Sequence, residues 1–184
     1  MTDEMEYNIK DEENIQYFAD VTYYAIPPNQ SKYKIFMLVA FNKKLYRTIL
    51  CNISIIANEN KETFITLLTH LKTKYNFIPK KFTIDYTKAH LISIKFIYPL
   101  CTIIPCFFHF MQNNAKRLPE IRHKNKTIKE LAKDLLANIR LLCFIPLNKI
   151  NSFYNEIKDK FRVKFPKYFT YFDKTYFLET SIFN

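Results

Sequence analysis

Two aspartates stand where their carboxylates can work as a pair. Asp20 lies inside Gln16–Ala25 (QYFADVTYYA), flanked by Phe18, Val21 and Tyr23, and Asp85 closes the short segment Phe82–Asp85 (FTID). If both segments are strands and neighbours, the carboxylates meet at one edge of a sheet. Phosphodiester chemistry needs such a pair. Two divalent metals about 3.5–4 Å apart stabilise the attacking and leaving oxygens of an in-line displacement. A bridging aspartate holds that spacing, and hard Mg²⁺ or Mn²⁺ prefers carboxylate oxygen and water. A plainer role is also open: Asp85 precedes a helix and can cap it. For Asp20, among apolar neighbours, a purely structural role is harder to sustain, because an unpaired buried acid is costly.

A second pair, Cys106 and His109, is spaced i, i+3 where a strand passes into a helix. Thiolate and imidazole both suit Zn²⁺, so the pair could form half of a zinc site. No second ligand pair at zinc spacing accompanies it, and His123 and Cys143 are scattered candidates. A structural pair, or a histidine near a scissile phosphate, stands beside that option.

The elements that would position these residues follow from periodicity. Gln16–Ala25 is short, aromatic and β-branched and stops at Pro27-Pro28, which reads as a strand. Tyr33–Phe41 is a nearly continuous apolar strand suited to the middle of a sheet. Asn42-Lys43-Lys44 supplies a turn, with Asn where Gly is usual, and Leu45–Ile56 returns as a third strand. The period then changes. Asn60–Tyr75 sets Phe64, Leu67, Leu68 and Leu71 at helical spacing. Phe82–Asp85 is a fourth strand, Thr87–Ile97 a helix closed by Pro99, Leu100–Cys106 a fifth strand and Phe107–Leu118 a helix.

The resulting order, β-β-β-α-β-α-β-α, makes the first three strands an antiparallel meander. It makes strands 1, 4 and 5 parallel through helical crossovers. This α/β order resembles the ribonuclease H-like plan, a five-stranded mixed sheet, here followed by a helical C-terminal segment (Lys126–Leu142, Leu147–Phe161, then an aromatic tail). The chain divides into an acidic lead (1–14), the core (15–118) and the helical segment (119–184).

Composition bounds the partners. Of 184 residues 48% are apolar and 17% aromatic, enough for a folded core. The net charge is +11, but residues 1–13 hold six acids against the single base Lys10. The remainder therefore keeps 27 of 28 basic and 11 of 17 acidic residues, a net of +16 that suits a phosphate polyanion. The same lysine-rich, glycine-free composition also follows from an A/T-rich coding sequence, so charge alone decides nothing. The four cysteines lack paired spacing and no signal peptide is recognisable, which points to a reduced intracellular compartment. No apolar run reaches the roughly 18–20 residues of a membrane span, so a soluble protein is expected.

Three motifs resemble those of the Mutator-like element (MULE) transposase domain. Asp20-Val21-Thr22 with Tyr23-Tyr24-Ala25-Ile26-Pro27 is similar to its first strand, Asp-Gly-Thr, an aromatic, then Pro. Phe82-Thr83-Ile84-Asp85-Tyr86-Thr87-Lys88-Ala89 is similar to its second motif, and Tyr98-Pro99 stands where the family has Phe-Pro. Cys106-Phe107-Phe108-His109, with Gln112 after it, resembles its Cys-x-x-His signature. Residues 144–146 and 171–176 are more loosely similar to the family's helical insertion. Val21 replaces the usual Gly, and Thr87 an acid; neither change removes a metal ligand.

The resemblance implies a DNA transposase catalytic domain acting in the nucleus. Asp20 and Asp85 would be the first two members of an Asp-Asp-Glu triad on Mg²⁺ or Mn²⁺, with transposon ends and target DNA as partners and a homo-oligomer as the working form. The third acid follows the helical insertion in that family, in an Asn-rich motif with no counterpart here. Among Glu120, Glu130, Asp134, Glu156, Asp159, Asp173 and Glu179, most fall on amphipathic helices beside lysines, where a solvated face is the plain reading. The expectation is a truncated element with an incomplete two-metal site. The alternatives are a non-catalytic DNA-binding descendant that regulates a transposase, and another ribonuclease H-like nuclease acting on RNA–DNA hybrids. The Cys-x-x-His signature and the long helical segment weigh against the latter.

Overall fold

The computed structural model describes residues 14–22, 32–85 and 87–177. The acidic lead, Tyr23–Pro28 of the first motif, Tyr86, Glu179 and the last residues to Asn184 lie outside them. The chain falls into two compact units, Met1–Cys106 and Phe107–Asn184, each taken here by itself.

The first unit is a five-stranded mixed sheet of the ribonuclease H-like plan, in the order β3-β2-β1-β4-β5. Strands β1 (Ile15–Thr22), β2 (Lys34–Asn42) and β3 (Arg47–Ile56) form the expected antiparallel meander. Strand β4 (Lys81–Ile84) runs parallel to β1, and β5 (Thr102–Pro105) parallel to β4. Helix α1 (Lys61–Tyr75) precedes β4, and α2 (Lys88–Ile97) joins β4 to β5.

Alternation decides which side of the sheet is buried. Ile15, Tyr17 and Ala19 of β1 and Phe36, Leu38 and Ala40 of β2 are buried, as are Phe64, Leu68 and Leu71 of α1 and Leu91 and Ile94 of α2. Phe77, from the α1–β4 connection, meets Tyr17, Phe82 and Tyr98 edge to face, with ring centroids 4.8, 6.1 and 5.8 Å away. The Tyr98 hydroxyl donates to the Leu68 carbonyl of α1 at 3.1 Å. On the opposite face the paired rows are Asp20–Met37–Ile53 and Phe18–Val39–Leu50. Phe18, Leu50, Ile53 and Ile55 are exposed there. The register shift that makes Cys51 an extra residue in β3 keeps Leu50 and Ile53, three apart, on this one face.

A chain without glycine must build left-handed positions from other residues. Asn76 (φ 50°) ends α1, and its N–H donates to the Leu71 carbonyl; asparagine tolerates this region best. In the β2–β3 turn the expected asparagine has another task. The Asn42 side chain accepts from the N–H groups of Lys44 and Leu45, and the positive φ (49°) falls on Tyr46.

The second unit is helical: α3 (Phe107–Lys116), α4 (Lys126–Leu141), α5 (Ile150–Phe161) and α6 (Pro166–Phe172), with a π-helical turn over Asp173–Phe177. Asn125 caps α4, accepting from the Ile128 N–H, and Ala132, Leu135 and Ile139 form its inner stripe. The aromatic tail of this helical segment forms α6 and the π-helical turn. Proline opens α6, and Phe165, Tyr168, Phe169 and Phe172 are buried at i, i+3, i+4, i+7. That period is present in the sequence but masked by Tyr171, Tyr176 and Phe177 around it. The buried Tyr168 hydroxyl donates to Asn114 Oδ1 at 2.7 Å, and Asn114 Nδ2 donates to the Phe110 carbonyl at 2.8 Å. No helix among the described residues is long and apolar enough to cross a membrane.

Two stability outcomes follow. Tyr46 is 86% exposed, so Tyr46→Gly removes little packing while relieving the left-handed backbone. It should stabilise the chain by about 1 kcal/mol in denaturant titration. Tyr168→Phe strands a buried amide oxygen and should cost about 1–2 kcal/mol in the same measurement.

Candidate functional site

The β1–β4 pairing sets the relation between the two aspartates. Tyr17 is aligned with Phe82 and Phe18 with Thr83. Two residues further along each chain, Asp20 and Asp85 reach the same level at the C-terminal ends of neighbouring parallel segments. Gln16 Nε2 donates to Thr83 Oγ1 at 2.6 Å, which fixes Thr83 on the Gln16–Phe18–Asp20 face of the sheet.

The two carboxylates have different surroundings. Asp20 is exposed, on the open side of β1 opposite Ile15, Tyr17 and Ala19, and its Oδ1 accepts from the Val21 N–H at 2.9 Å. The expected penalty for burying this acid does not arise, since alternation turns it away from the core that its neighbours fill. Asp85 lies just past the end of β4, with its side chain 20% exposed. Its Oδ1 accepts from the Thr87 N–H at 3.1 Å and lies 2.7 Å from His90 Nδ1, and its Oδ2 accepts from the Thr87 hydroxyl. Thr87 is the N-cap residue of α2 and makes no side-chain capping bond to the helix. The Asp85 carboxylate thus organises the β4–α2 connection.

Electrostatics follows from these contacts. Burial pushes the Asp85 carboxyl upward, but the hydrogen bond and charge of His90 and the two bonds from Thr87 together hold it below the usual value of 3.8. His90 itself is 3% exposed, and its ring stands against Phe64 with centroids 3.9 Å apart. Sequence reading passed over His90. Its only trace there is a polar ring on the inner stripe of α2 beside Leu91 and Ile94.

The other expected residues are placed separately. Cys106 follows β5, and its N–H donates to the Ile84 carbonyl at 2.8 Å, so it ends the same stretch of sheet that leads to Asp85. His109 lies on α3 in the second unit, half-buried and edge-on to Phe108. All four cysteines are free thiols; burial pushes Cys101 up to about 11 and raises Cys51 and Cys143. In the second unit, several acids already hold cations: Glu130 pairs with Lys133, Asp134 with Lys160, and Asp173 with Lys158 and the Tyr154 hydroxyl. Among the described residues no group of three or more His, Cys, Asp or Glu side chains is gathered so as to hold a metal.

The donor set of the aspartate pair is hard oxygen, which fits Mg²⁺ or Mn²⁺ and not a thiophilic ion. Asp20 is exposed to solvent. Asp85 is oriented in advance by three hydrogen bonds.

A family model described as MULE transposase domain matches residues 18–113, just over half of the chain. No curated protein matches it.

Because the folded-state pKa of Asp85 is depressed, its ionised form stabilises the native state above the unfolded pKa, and that contribution is lost as pH falls through the folded value. In metal-free buffer, Asp85→Asn should therefore lower the Tm at pH 6–7, and the gap from the natural chain should close below about pH 3.8. A gap that stays constant across that range would show that the carboxylate charge is not what His90 and Thr87 hold.

Proposed function

Since the chain belongs to the MULE transposase domain family, we propose that its sheet unit is a transposase catalytic core. Asp20 and Asp85 are its divalent-metal ligands, for Mg²⁺ or Mn²⁺. The observation that supports this reading is the parallel β1–β4 pairing, which lays the segments that carry Asp20 and Asp85 side by side. A bound metal pair would supply Lewis-acid stabilisation of the attacking and leaving phosphate oxygens.

The chain's own residues do the rest. Asp20 supplies an exposed carboxylate on the side of β1 opposite Ile15, Tyr17 and Ala19. Asp85, its carboxyl held below the ordinary range, presents a charged ligand throughout the neutral range. Thr87 and His90 hold that ligand in one orientation. DNA, as transposon end and target, is the substrate, bound through the net +16 of residues 14–184. A homo-oligomer working in the nucleus fits a reaction that joins two DNA ends.

A second reading, a non-catalytic DNA-binding descendant that regulates a transposase, is favoured by the state of the acids beyond residue 118. Glu130, Asp134 and Asp173 are each engaged by a lysine.

Asp20→Ala or Asp85→Ala should weaken Mn²⁺ binding, followed by calorimetry, by on the order of tenfold or more. Unchanged affinity in both variants would remove the metal assignment. On supercoiled DNA, metal-dependent nicking lost in both variants supports the catalytic core. DNA binding that weakens steeply between 50 and 200 mM salt, as counterion release predicts, without any nicking, selects the regulatory reading.

A further inference from the structure

His90 is an unusual residue for its place. The inner stripe of α2 packs against the sheet and α1, and an aliphatic side chain would fill the position without cost. The histidine is 3% exposed, its ring is wedged against Phe64, and its Nε2 is buried with no hydrogen-bond partner among the described residues. A buried ring nitrogen without a partner is unfavourable. The position carries an imidazole despite that, and among the described residues the ring's polar contact is through Nδ1, 2.7 Å from Asp85 Oδ1. The distribution of partners also fixes the tautomer. A proton on Nδ1 is shared with the carboxylate, whereas a proton on Nε2 would be stranded in an apolar pocket and would leave two acceptors facing each other.

We propose that His90 is a positioning residue for Asp85: its Nδ1–H, held rigidly by the packing of α2 on Phe64, fixes the rotation of the carboxylate through Oδ1. The terminal torsion of an aspartate is broad and has no strong preference of its own. Thr87 supplies two bonds to the same carboxylate, both from the residue two along in the connecting segment. His90 supplies the anchor from the body of the unit. Orientation of a metal-binding carboxylate by a buried partner raises affinity because fewer conformers are lost when the ion binds. The protein uses three of the carboxylate's four lone-pair sites, two on Oδ1 and one on Oδ2, so the restraint leaves Oδ2 able to coordinate. The inference rests on the assignment of Asp85 as a metal ligand and specifies what prepares it.

The test uses the full chain and Mn²⁺ as probe, followed by calorimetry and by electron paramagnetic resonance of the bound ion. Four variants are compared: Asp85→Ala, His90→Leu, His90→Asn and Asp20→Ala. Asparagine places an amide N–H close to where Nδ1 stands, so it can restore the donor without the ring. His90→Leu should weaken Mn²⁺ binding by about tenfold, and His90→Asn should recover most of that loss. If Asp85→Ala leaves Mn²⁺ affinity unchanged, the metal assignment fails and this inference with it. If Asp85→Ala weakens binding but His90→Leu does not, the positioning role alone is overturned. Equal losses in His90→Leu and His90→Asn would show that ring packing, not the donor, matters, and would also overturn it. Should His90→Leu fail to fold, ¹⁵N NMR of the natural chain still decides. A proton on Nδ1 is the expected signature, and a bare Nδ1 excludes the donor.

Discussion

The parallel pairing of β1 with β4 is the constraint on which the rest of the sheet unit depends. The paired residues Phe18 and Thr83 are far apart in sequence, and the strands share only a short ladder. A short parallel pair is not stable alone, because closing so long a loop costs entropy before any contact is made. What holds it is the aromatic cluster on its buried side, where Phe77 sits between Tyr17, Phe82 and Tyr98. The Gln16–Thr83 bond pins the other side. Through that register the segments that carry Asp20 and Asp85, far apart in sequence, come to lie side by side.

The two faces of the sheet divide the work. The covered face buries Phe36, Leu38, Phe64 and Phe82, and it supplies most of the hydrophobic stabilisation of the unit. The uncovered face carries Asp20 among Phe18, Met37 and Ile53, so the acid escapes the desolvation that its sequence neighbours suggest. Asp85 has the opposite solution. It is mostly buried and remains ionised because His90 and Thr87 provide hydrogen bonds that water would otherwise make. One acid is therefore exposed and the other held by hydrogen bonds.

The absence of glycine shapes the turns as well. A left-handed residue is needed where α1 ends and where β2 turns into β3, and the chain uses Asn76 and Tyr46 for them. Asn76 suits the task, since its short polar side chain tolerates that region. Tyr46 does not, and it is held there by the two bonds that Asn42 draws from the turn's backbone.

Most of the architecture was legible in the sequence, because apolar period and turn chemistry are local properties. The change from the apolar strands of Lys34–Ile56 to period 3.6 in Lys61–Tyr75 gave the strands and the first helix, with ends within about two residues of those observed. The order of elements then limited the topology, since parallel strands require crossovers. The helix in the aromatic tail was less plain because Tyr171, Tyr176 and Phe177 add aromatic rings outside the stripe of Phe165, Tyr168, Phe169 and Phe172. The exposure of Asp20, the engagement of Asp85 and the part played by His90 were beyond reach for a different reason. Each depends on which groups from distant segments share a hydrogen bond or a face, and no spacing along the chain encodes that. The sequence alone determined which residue types were available and on which elements they sit. Only the tertiary structure decided that His90 points into the core at Asp85, because only packing of α2 against Phe64 brings the ring there.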